Sequence, residues 1–306
     1  MISLFQYNRI VAAFLVLLIH QQFLPSTPFI SNLKNCAVPL FACMAGYLFT
    51  GKIGKKVDRV LIPYGIWAII YFVANNVLFD VFIKHQQLEI PSLRKWLLGE
   101  TGTHLWFLPC LFVSFCLATL IRTLCGHREN IGRWGGELLF AIGFASQFLP
   151  VQTSETLAGY VRLYFGRLLM YFALGMILRC ILDTRLAKFE MRMIIGGVLT
   201  IIGIANLHFD LLVGLAWRPI LAVVGLMILS VGCGDFHVPR LVDSLARNSM
   251  GIYLVHALFT SAASAVVTRC GWSEIPVFVG ILLALVIFGT SYVCSLLMPK
   301  WMKGTN

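Results

Sequence analysis

The sequence predicts an all-α fold, a polytopic membrane helical bundle of about ten transmembrane helices with both termini inside (N-in/C-in). Three observations predict it. Of the 306 residues, 59% are hydrophobic and 12% are charged, whereas a soluble domain carries about 25% charged residues. The hydrophobic residues form ten runs, with polar or Pro/Gly-rich residues between them. The connections between the runs carry many more Lys and Arg residues on one side of the membrane than on the other.

The ten runs vary around the roughly 20 residues that a helix needs to cross a bilayer. The second is short and contains Pro39, and only His208 to Asp210 separate the seventh from the eighth, so a tight turn is predicted there. The connection over about 84–103 has the composition of a short interfacial helix, with Trp96 in the headgroup region. The predicted spans are about 10–27, 35–50, 61–83, 104–124, 134–150, 162–182, 193–209, 211–233, 247–268 and 275–298.

The orientation follows from the cations between the spans. Connections on the N-terminal side hold sixteen Lys and Arg residues, and those on the other side hold six. The positive-inside rule therefore predicts an inside N-terminus, an even number of spans and an inside C-terminus. The same bias explains the net charge of +11, so we expect contact with the lipid bilayer and none with nucleic acid. A single membrane domain over 1–306, with no appended soluble domain, is expected.

The first span carries an arginine at its start and a histidine within its apolar run. Arg9 and His20 are eleven residues apart, which is three helical turns and almost no net rotation. With Arg9 at one membrane face, His20 would lie about 16 Å deeper, near the bilayer centre. An ionisable group at that depth predicts a general base, a general acid or a nucleophile. The alternative is a histidine that only hydrogen-bonds between helices.

The ninth span holds a second polar group of residues. Ser249, Tyr253 and His256 are four and three residues apart, so they share one helical face. Entering from the inside near Arg247, His256 would reach about the depth of His20. Two histidines at one level predict an acid–base pair or a relay, and the alternative is a structural hydrogen-bond network.

A basic segment precedes the third span. Lys52, Lys55, Lys56 and Arg59 are four cations within eight residues, and such a cluster suits a phosphate-rich ligand on the cytoplasmic face. The alternative is an ordinary inside loop that contacts anionic lipid.

Three further residues are candidates for binding the substrate. His104 and Trp106 start the fourth span, where we expect them at the outer interface, with His104 facing an acceptor. Arg218 lies inside the eighth span and is expected to pair with Asp210 or to line a water-filled cavity.

No Walker loop, Rossmann glycine pattern, HExxH or Gly-x-Ser-x-Gly motif occurs. The nine cysteines show no paired spacing, so no metal is expected.

Together these motifs resemble the acyltransferase-3 family of integral membrane O-acyltransferases, and the resemblance extends over essentially the whole chain. The matching segments are Arg9-x10-His20, Val38–Phe41 with Ala45–Leu48, Lys56-x-x-Arg59 followed by Ile62-Pro63, His104–Leu108, and Ser249-x3-Tyr253-x2-His256.

The resemblance implies a bacterial inner-membrane enzyme that transfers acyl groups other than aminoacyl groups. Its donor would be a cytoplasmic acyl-CoA, commonly acetyl-CoA, and its acceptor a hydroxyl of a cell-envelope or lipid-linked glycan. Arg9 and His20 would take part in the chemistry, and the basic segment would hold the CoA phosphates. The chain departs from the family at Lys56, where arginine is usual, so bidentate phosphate binding there rests on Arg59.

The residues alone leave two other functions open. A transporter or flippase would use His20, His256 and Arg218 as a proton and substrate path, and a structural membrane subunit would have no activity. Acyl-donor dependence separates the enzyme from both.

Overall fold

The structure is a computed structural model of the full chain. It describes residues 2–21, 27–51, 53–75, 90–102, 104–124, 131–149, 156–184, 189–205, 219–271 and 275–304.

The described residues are 84% helical and include no strand, so the predicted all-α fold is confirmed. Two joins between helices, Val57–Leu61 and Val161–Phe165, are π-helical. The α-helices are α1 Ser3–His20, α2 Pro28–Asn35, α3 Ala37–Tyr47, α4 Gly54–Lys56, α5 Ile62–Phe72, α6 Leu93–Leu98, α7 Phe107–Leu124, α8 Ile131–Ala145, α9 Leu157–Tyr160, α10 Gly166–Thr184, α11 Phe189–Ala205, α12 Ile220–Gly232, α13 Arg240–Arg247, α14 Ser249–Arg269 and α15 Val277–Leu297.

Each of the ten predicted spans contains a helix. Among the described residues, six helical segments are long and apolar enough to cross a membrane. The helices of the other four predicted spans, α3, α8, α11 and α12, have 11, 15, 17 and 13 residues. The six segments are Ser3–His20, Gly54–Asn75, Phe107–Leu124, Leu157–Leu182, Ser249–Arg269 and Val277–Leu297. The chain is thus a multi-pass membrane protein, and ten spans and the N-in/C-in orientation stay predictions.

The first helix lies earlier in the chain than predicted. It begins at Ser3 and ends at His20 instead of running over 10–27. The polar side chain of Ser3 at the start of the helix is satisfied by Phe236. Its hydroxyl donates to the Phe236 carbonyl at 2.8 Å and accepts from the Phe236 N–H at 2.9 Å. His20 is therefore the last residue of its helix instead of lying within it, while its depth near the bilayer centre stays a prediction.

The basic segment is helical, although a loop was predicted. It forms α4 and the π-helical turn that continues into α5. Pro63 lies within the continuous helical segment Gly54–Asn75, and the π-helical turn Val57–Leu61 comes just before it. Local π-helical geometry of this kind accommodates a proline in a membrane helix. Lys55, Lys56 and Arg59 consequently lie on the first turns of a membrane helix, and Lys52 lies outside the described residues.

The connection over 84–103 was expected to hold a short interfacial helix. Its residues 90–102 include the six-residue α6, in which the Ser92 hydroxyl accepts the Lys95 N–H. Trp96 belongs to this helix, while 84–89 lie outside the described residues.

The centre of the bundle is formed by α1, α3 and α10. Helix α1 packs on α3 and α14, and α10 packs on α3 and α8. Small residues let α3 and α10 approach closely, because a Cβ at Gly46 would collide with the Phe172 carbonyl. At Gly175 a Cβ would meet the Cys43 carbonyl and lie 2.8 Å from the Tyr47 nitrogen. Such contacts are typical of packed membrane helices.

Helices α11 and α12 pack on each other, and α15 packs on α14. Helix α15 exposes large apolar side chains, with Phe278 at 70% and Leu297 at 83% exposure. A continuous exposed apolar face of this kind fits contact with lipid.

Candidate active site

Three histidines from three separate elements meet inside the bundle. His20 ends α1, His104 lies in the turn before α7, and His256 lies two turns into α14. Their ring centroids are 5.8 Å apart for His20 and His104, 5.4 Å for His20 and His256, and 5.0 Å for His104 and His256. We call these three residues the histidine cluster. The expected proximity of His20 and His256 is present, and His104 joins them.

His104 is buried inside the bundle, whereas it was predicted to face an acceptor at the outer interface, and its depth in the membrane stays a prediction. Its side chain is 2% exposed, and its residue belongs to a turn instead of the fourth span's helix, which begins at Phe107. The Tyr253 hydroxyl donates to the His104 carbonyl, so α14 holds the turn inward. The sequence alone does not show this contact, because the two residues are 149 positions apart.

A glycine determines how the chain enters this turn. Gly99 ends α6 with a φ of 77°, a left-handed conformation that strongly favours glycine. A Cβ there would lie 2.6 Å from the Trp106 backbone. The tight approach lets residues 100–102 and 104–106 fold back against α6 and direct His104 into the bundle.

Two tyrosines surround His104. The rings of Tyr71 and Tyr253 lie 4.8 and 5.3 Å from the His104 ring. The Tyr71 hydroxyl donates to the Leu254 carbonyl at 2.7 Å, so both tyrosines tie the histidine cluster to the backbone around it. Helix α5, which carries Tyr71, is thereby linked to α14.

The tautomer of His256 follows from its backbone contact. Its Nδ1 lies 2.6 Å from the Tyr253 carbonyl. A carbonyl oxygen only accepts hydrogen bonds, so Nδ1 carries the proton and Nε2 carries a lone pair. Nε2 has no hydrogen-bond partner among the described residues. His256 therefore presents a hydrogen-bond acceptor to the histidine cluster.

Other polar atoms at this site also lack partners within the described parts of the chain. They are both ring nitrogens of His104. Buried polar groups are usually hydrogen-bonded, and a cluster of unsatisfied ones marks a functional site. These atoms can donate to, or accept from, a reacting molecule.

A cavity of about 280 Å³ opens beside the histidine cluster. His20, His104 and Tyr253 contribute to one wall, and Trp106 lines it with its ring 4.6 Å from that of Tyr164. Trp106 is half-buried in this wall.

Two cations, Lys34 of α2 and Arg167 of α10, also line the cavity. Burial lowers the pKa of the Lys34 ammonium. Both residues are distant in sequence from the basic segment. Lys34 was considered only as one of the six cations used to predict the orientation.

A second cluster of cations lies toward the other end of α1. Lys56 is within electrostatic range of Arg9 and Arg59, and its Nζ lies 4.4 Å from the centre of the Phe115 ring. Lys55 and Arg59 are exposed. Because Arg9 and His20 belong to one helix, this basic cluster of Arg9, Lys55, Lys56 and Arg59 is about 16 Å along the axis from the histidine cluster.

Ser249, a predicted site residue, does not join either cluster. Ser249 is buried, but it lies about 10 Å along α14 from His256. Arg218 and its expected partner Asp210 lie outside the described residues, as does the predicted turn between the seventh and eighth spans.

Three residues at the site, Tyr71, Lys34 and Arg167, were assigned no function from the sequence. Tyr71 is an ordinary aromatic in an apolar span, so no local signal identifies it. Arg167 lies within the predicted span 162–182, and a charge in such a position is the sequence signal that could have identified it. Among the described residues, no group of three or more His, Cys, Asp or Glu side chains has a geometry that could hold a metal ion.

The family model described as an acyltransferase domain (Acyl_transf_3) matches residues 5–298. Comparison with curated proteins and with solved structures gave no significant match. The family match spans α1 to the end of α15 and so includes the histidine cluster, the cavity and the basic cluster. The chain therefore belongs to the acyltransferase-3 family and is a membrane acyltransferase.

Proposed function

We propose that the protein is an O-acyltransferase of the bacterial inner membrane. It takes an acyl group, acetyl in the first instance, from cytoplasmic acyl-CoA and transfers it to a hydroxyl of a cell-envelope or lipid-linked glycan. Membership of the family establishes acyl transfer, and the donor, the acceptor and the membrane are the proposal.

One observation carries the proposal. The histidine cluster has unpartnered ring nitrogens, and His20 and His104 border the cavity, while the basic cluster lies about 16 Å away along α1. This separation suits a donor that is charged at one end and reactive at the other, with an acceptor that approaches from the cavity.

The basic cluster is the proposed site for the CoA phosphates. Arg59 and Lys55 are exposed, and Arg9 is the cation of the cluster on the same helix as His20. Arginine binds phosphate in a bidentate manner and lysine binds it as a point charge. The extended pantetheine arm of CoA would then carry the thioester toward His20. In the predicted N-in orientation the phosphates remain on the cytoplasmic side.

His20 is the proposed general base, because it borders the cavity that would admit the acceptor. The imidazole takes the proton of the acceptor hydroxyl while a C–O bond forms at the thioester carbonyl. The C–S bond then breaks, and the imidazolium returns the proton to the departing CoA thiolate. His104 and His256 are positioned to hydrogen-bond to the reacting groups and to His20. Ser249 has no role in this step.

Donor dependence tests the proposal. Purified protein in proteoliposomes is incubated with [¹⁴C]acetyl-CoA and a glycan fraction from the cell envelope. We expect label in the glycan and release of free CoA in equal amounts. A transporter would move the sugar without any acyl donor, and that result, with no label transferred, would contradict the proposal.

A further inference from the structure

Among the described residues, the lining of the cavity beside the histidine cluster contains two cations and no carboxylate. Lys34, in the last turn of α2, and Arg167, in the first turn of α10, both line it. Within the described residues, no carboxylate forms an ion pair with either cation. The groups close to Arg167 are Tyr171 and Cys36, both of which are ordinarily neutral.

The Arg167 guanidinium is held with part of its hydrogen-bonding capacity unused. Its Nε is buried and has no hydrogen-bond partner among the described residues. A guanidinium that is withdrawn from water costs free energy unless an anion or a set of acceptors compensates it. In membrane proteins such cations face a cavity or a substrate path instead of lipid. Burial also lowers the pKa of Lys34, and a bound anion would raise it again.

The size of the cavity limits what can occupy it. Its volume of about 280 Å³ is at the lower end of ligand pockets, which hold drug-sized molecules at about 300–1,000 Å³. A single sugar-sized group fits the space, with the aromatic rings of Trp106 and Tyr164 along one side. Aromatic faces bind the apolar C–H surface of sugars. The lining therefore combines aromatic rings that can pack on a sugar with two cations.

We propose that Lys34 and Arg167 bind a negatively charged group, a carboxylate or a phosphate, on the acceptor sugar whose hydroxyl is acylated. The proposal rests on the proposed function and specifies its acceptor. Both cations and His20 line the same small cavity, so an anion held by the cations leaves the remainder of one sugar ring facing His20. Charge-assisted hydrogen bonds from a guanidinium also orient a planar carboxylate. The acceptor class is therefore acidic or phosphorylated sugars.

Matched sugars test this inference by binding, without relying on turnover. The full-length protein is reconstituted in nanodiscs of phosphatidylcholine, which carries no net charge, and calorimetry compares methyl glucuronide, glucose 1-phosphate and methyl glucoside. We expect the acid or the phosphate to bind about tenfold more tightly than the neutral glucoside, because one charged hydrogen-bonding contact contributes that much. Arg167→Gln and Lys34→Gln should each reduce this preference, and the double variant should remove it.

Three controls make the result specific. Lys95→Gln removes an exposed cation of α6 and should leave the preference intact, and Arg167→Lys should restore part of it. Unchanged CoA binding in Arg167→Gln shows that the variant is folded. A preference for the charged sugars without any acyl transfer would contradict the proposed function and still support the anion site.

Two results would overturn the inference. The first is equal binding of charged and neutral sugars by the wild-type protein. The second is binding of phosphatidylglycerol alone, in nanodiscs that contain it, with loss of all sugar preference, because the cations would then bind a lipid headgroup and no acceptor.

Discussion

At the scale of single residues, the position of His104 depends on one hydroxyl group from another helix. Tyr253 donates to its carbonyl, and the Tyr253 ring also packs on the His104 ring at 5.3 Å. The sequence indicated that His20 and His256 reach one level, since helical geometry converts spacing into depth. It did not indicate that His104 joins them, because aromatic residues at the start of a span are typical of the membrane interface.

The Tyr253 hydroxyl can be removed with little change in shape. Tyr253→Phe leaves a buried carbonyl without its donor, which costs roughly 1–3 kcal/mol. We expect about a tenfold loss of acyl transfer, since His104 is less firmly held, together with slightly lower thermal stability. Tyr292→Phe is the matched control, because the Tyr292 hydroxyl bonds only to Ser244 at 2.7 Å in the part of the chain described. Equal effects of both variants on transfer would contradict a special role for Tyr253.

At the scale of helices, sequence periodicity located most elements but not their ends. Helix α1 starts seven residues before the predicted span, because Ser3 is satisfied by Phe236. The basic segment was predicted to be an inside loop between two spans, whereas Lys55, Lys56 and Arg59 lie in the first turns of a long membrane helix. Tertiary partners that satisfy polar groups decide such boundaries, and one sequence does not reveal them.

The crossing of α3 and α10 predicts an effect that differs between two glycines. A Cβ at Gly175 would collide with α3, whereas one at Gly197 in α11 meets nothing within 4 Å. Gly175→Ala should therefore lower stability by roughly 1–3 kcal/mol. Gly197→Ala should be neutral or stabilising, because alanine favours helix. Thermal unfolding in detergent measures both, and an equal shift of the two melting temperatures would contradict the close crossing.

The basic cluster predicts unequal contributions from its cations to donor binding. Arg59 is exposed, whereas the Lys56 ammonium is stacked over Phe115. Arg59→Gln should weaken CoA binding about fivefold in a salt-sensitive way, and Lys56→Gln should weaken it less. Arg240→Gln, which removes an exposed cation of α13, is the control. If Arg59→Gln leaves the CoA affinity unchanged, the basic cluster does not bind CoA, and its charges only determine the orientation of the chain in the membrane.

At the scale of the whole molecule, composition was sufficient for the fold class and the family resemblance for the activity. The structure supplies six long apolar helices among its described residues, with shorter helices in the other predicted spans. The cavity between α1, α2, α3 and α10 could not be predicted, because it depends on how distant segments pack. Its two cations, Lys34 and Arg167, appeared in the sequence only as isolated charges.

The predicted orientation can be tested with a native cysteine. Cys270 is exposed, and it lies just after α14, on the side predicted to be outside. A membrane-impermeant maleimide should therefore label the protein in intact cells with a permeable outer membrane, and Cys270→Ser should abolish that labelling. Labelling that occurs only in inverted membrane vesicles would contradict the N-in/C-in orientation.

The most direct test of the whole account is acyl transfer by a His20 variant. In proteoliposomes, His20→Gln should lower transfer from acetyl-CoA by about 10²–10⁴-fold, the usual contribution of a general base, while CoA affinity is unchanged. His237→Gln is the matched control, because this histidine is exposed and should leave transfer intact. If folded His20→Gln retains full transfer activity, His20 is structural and the central claim is contradicted.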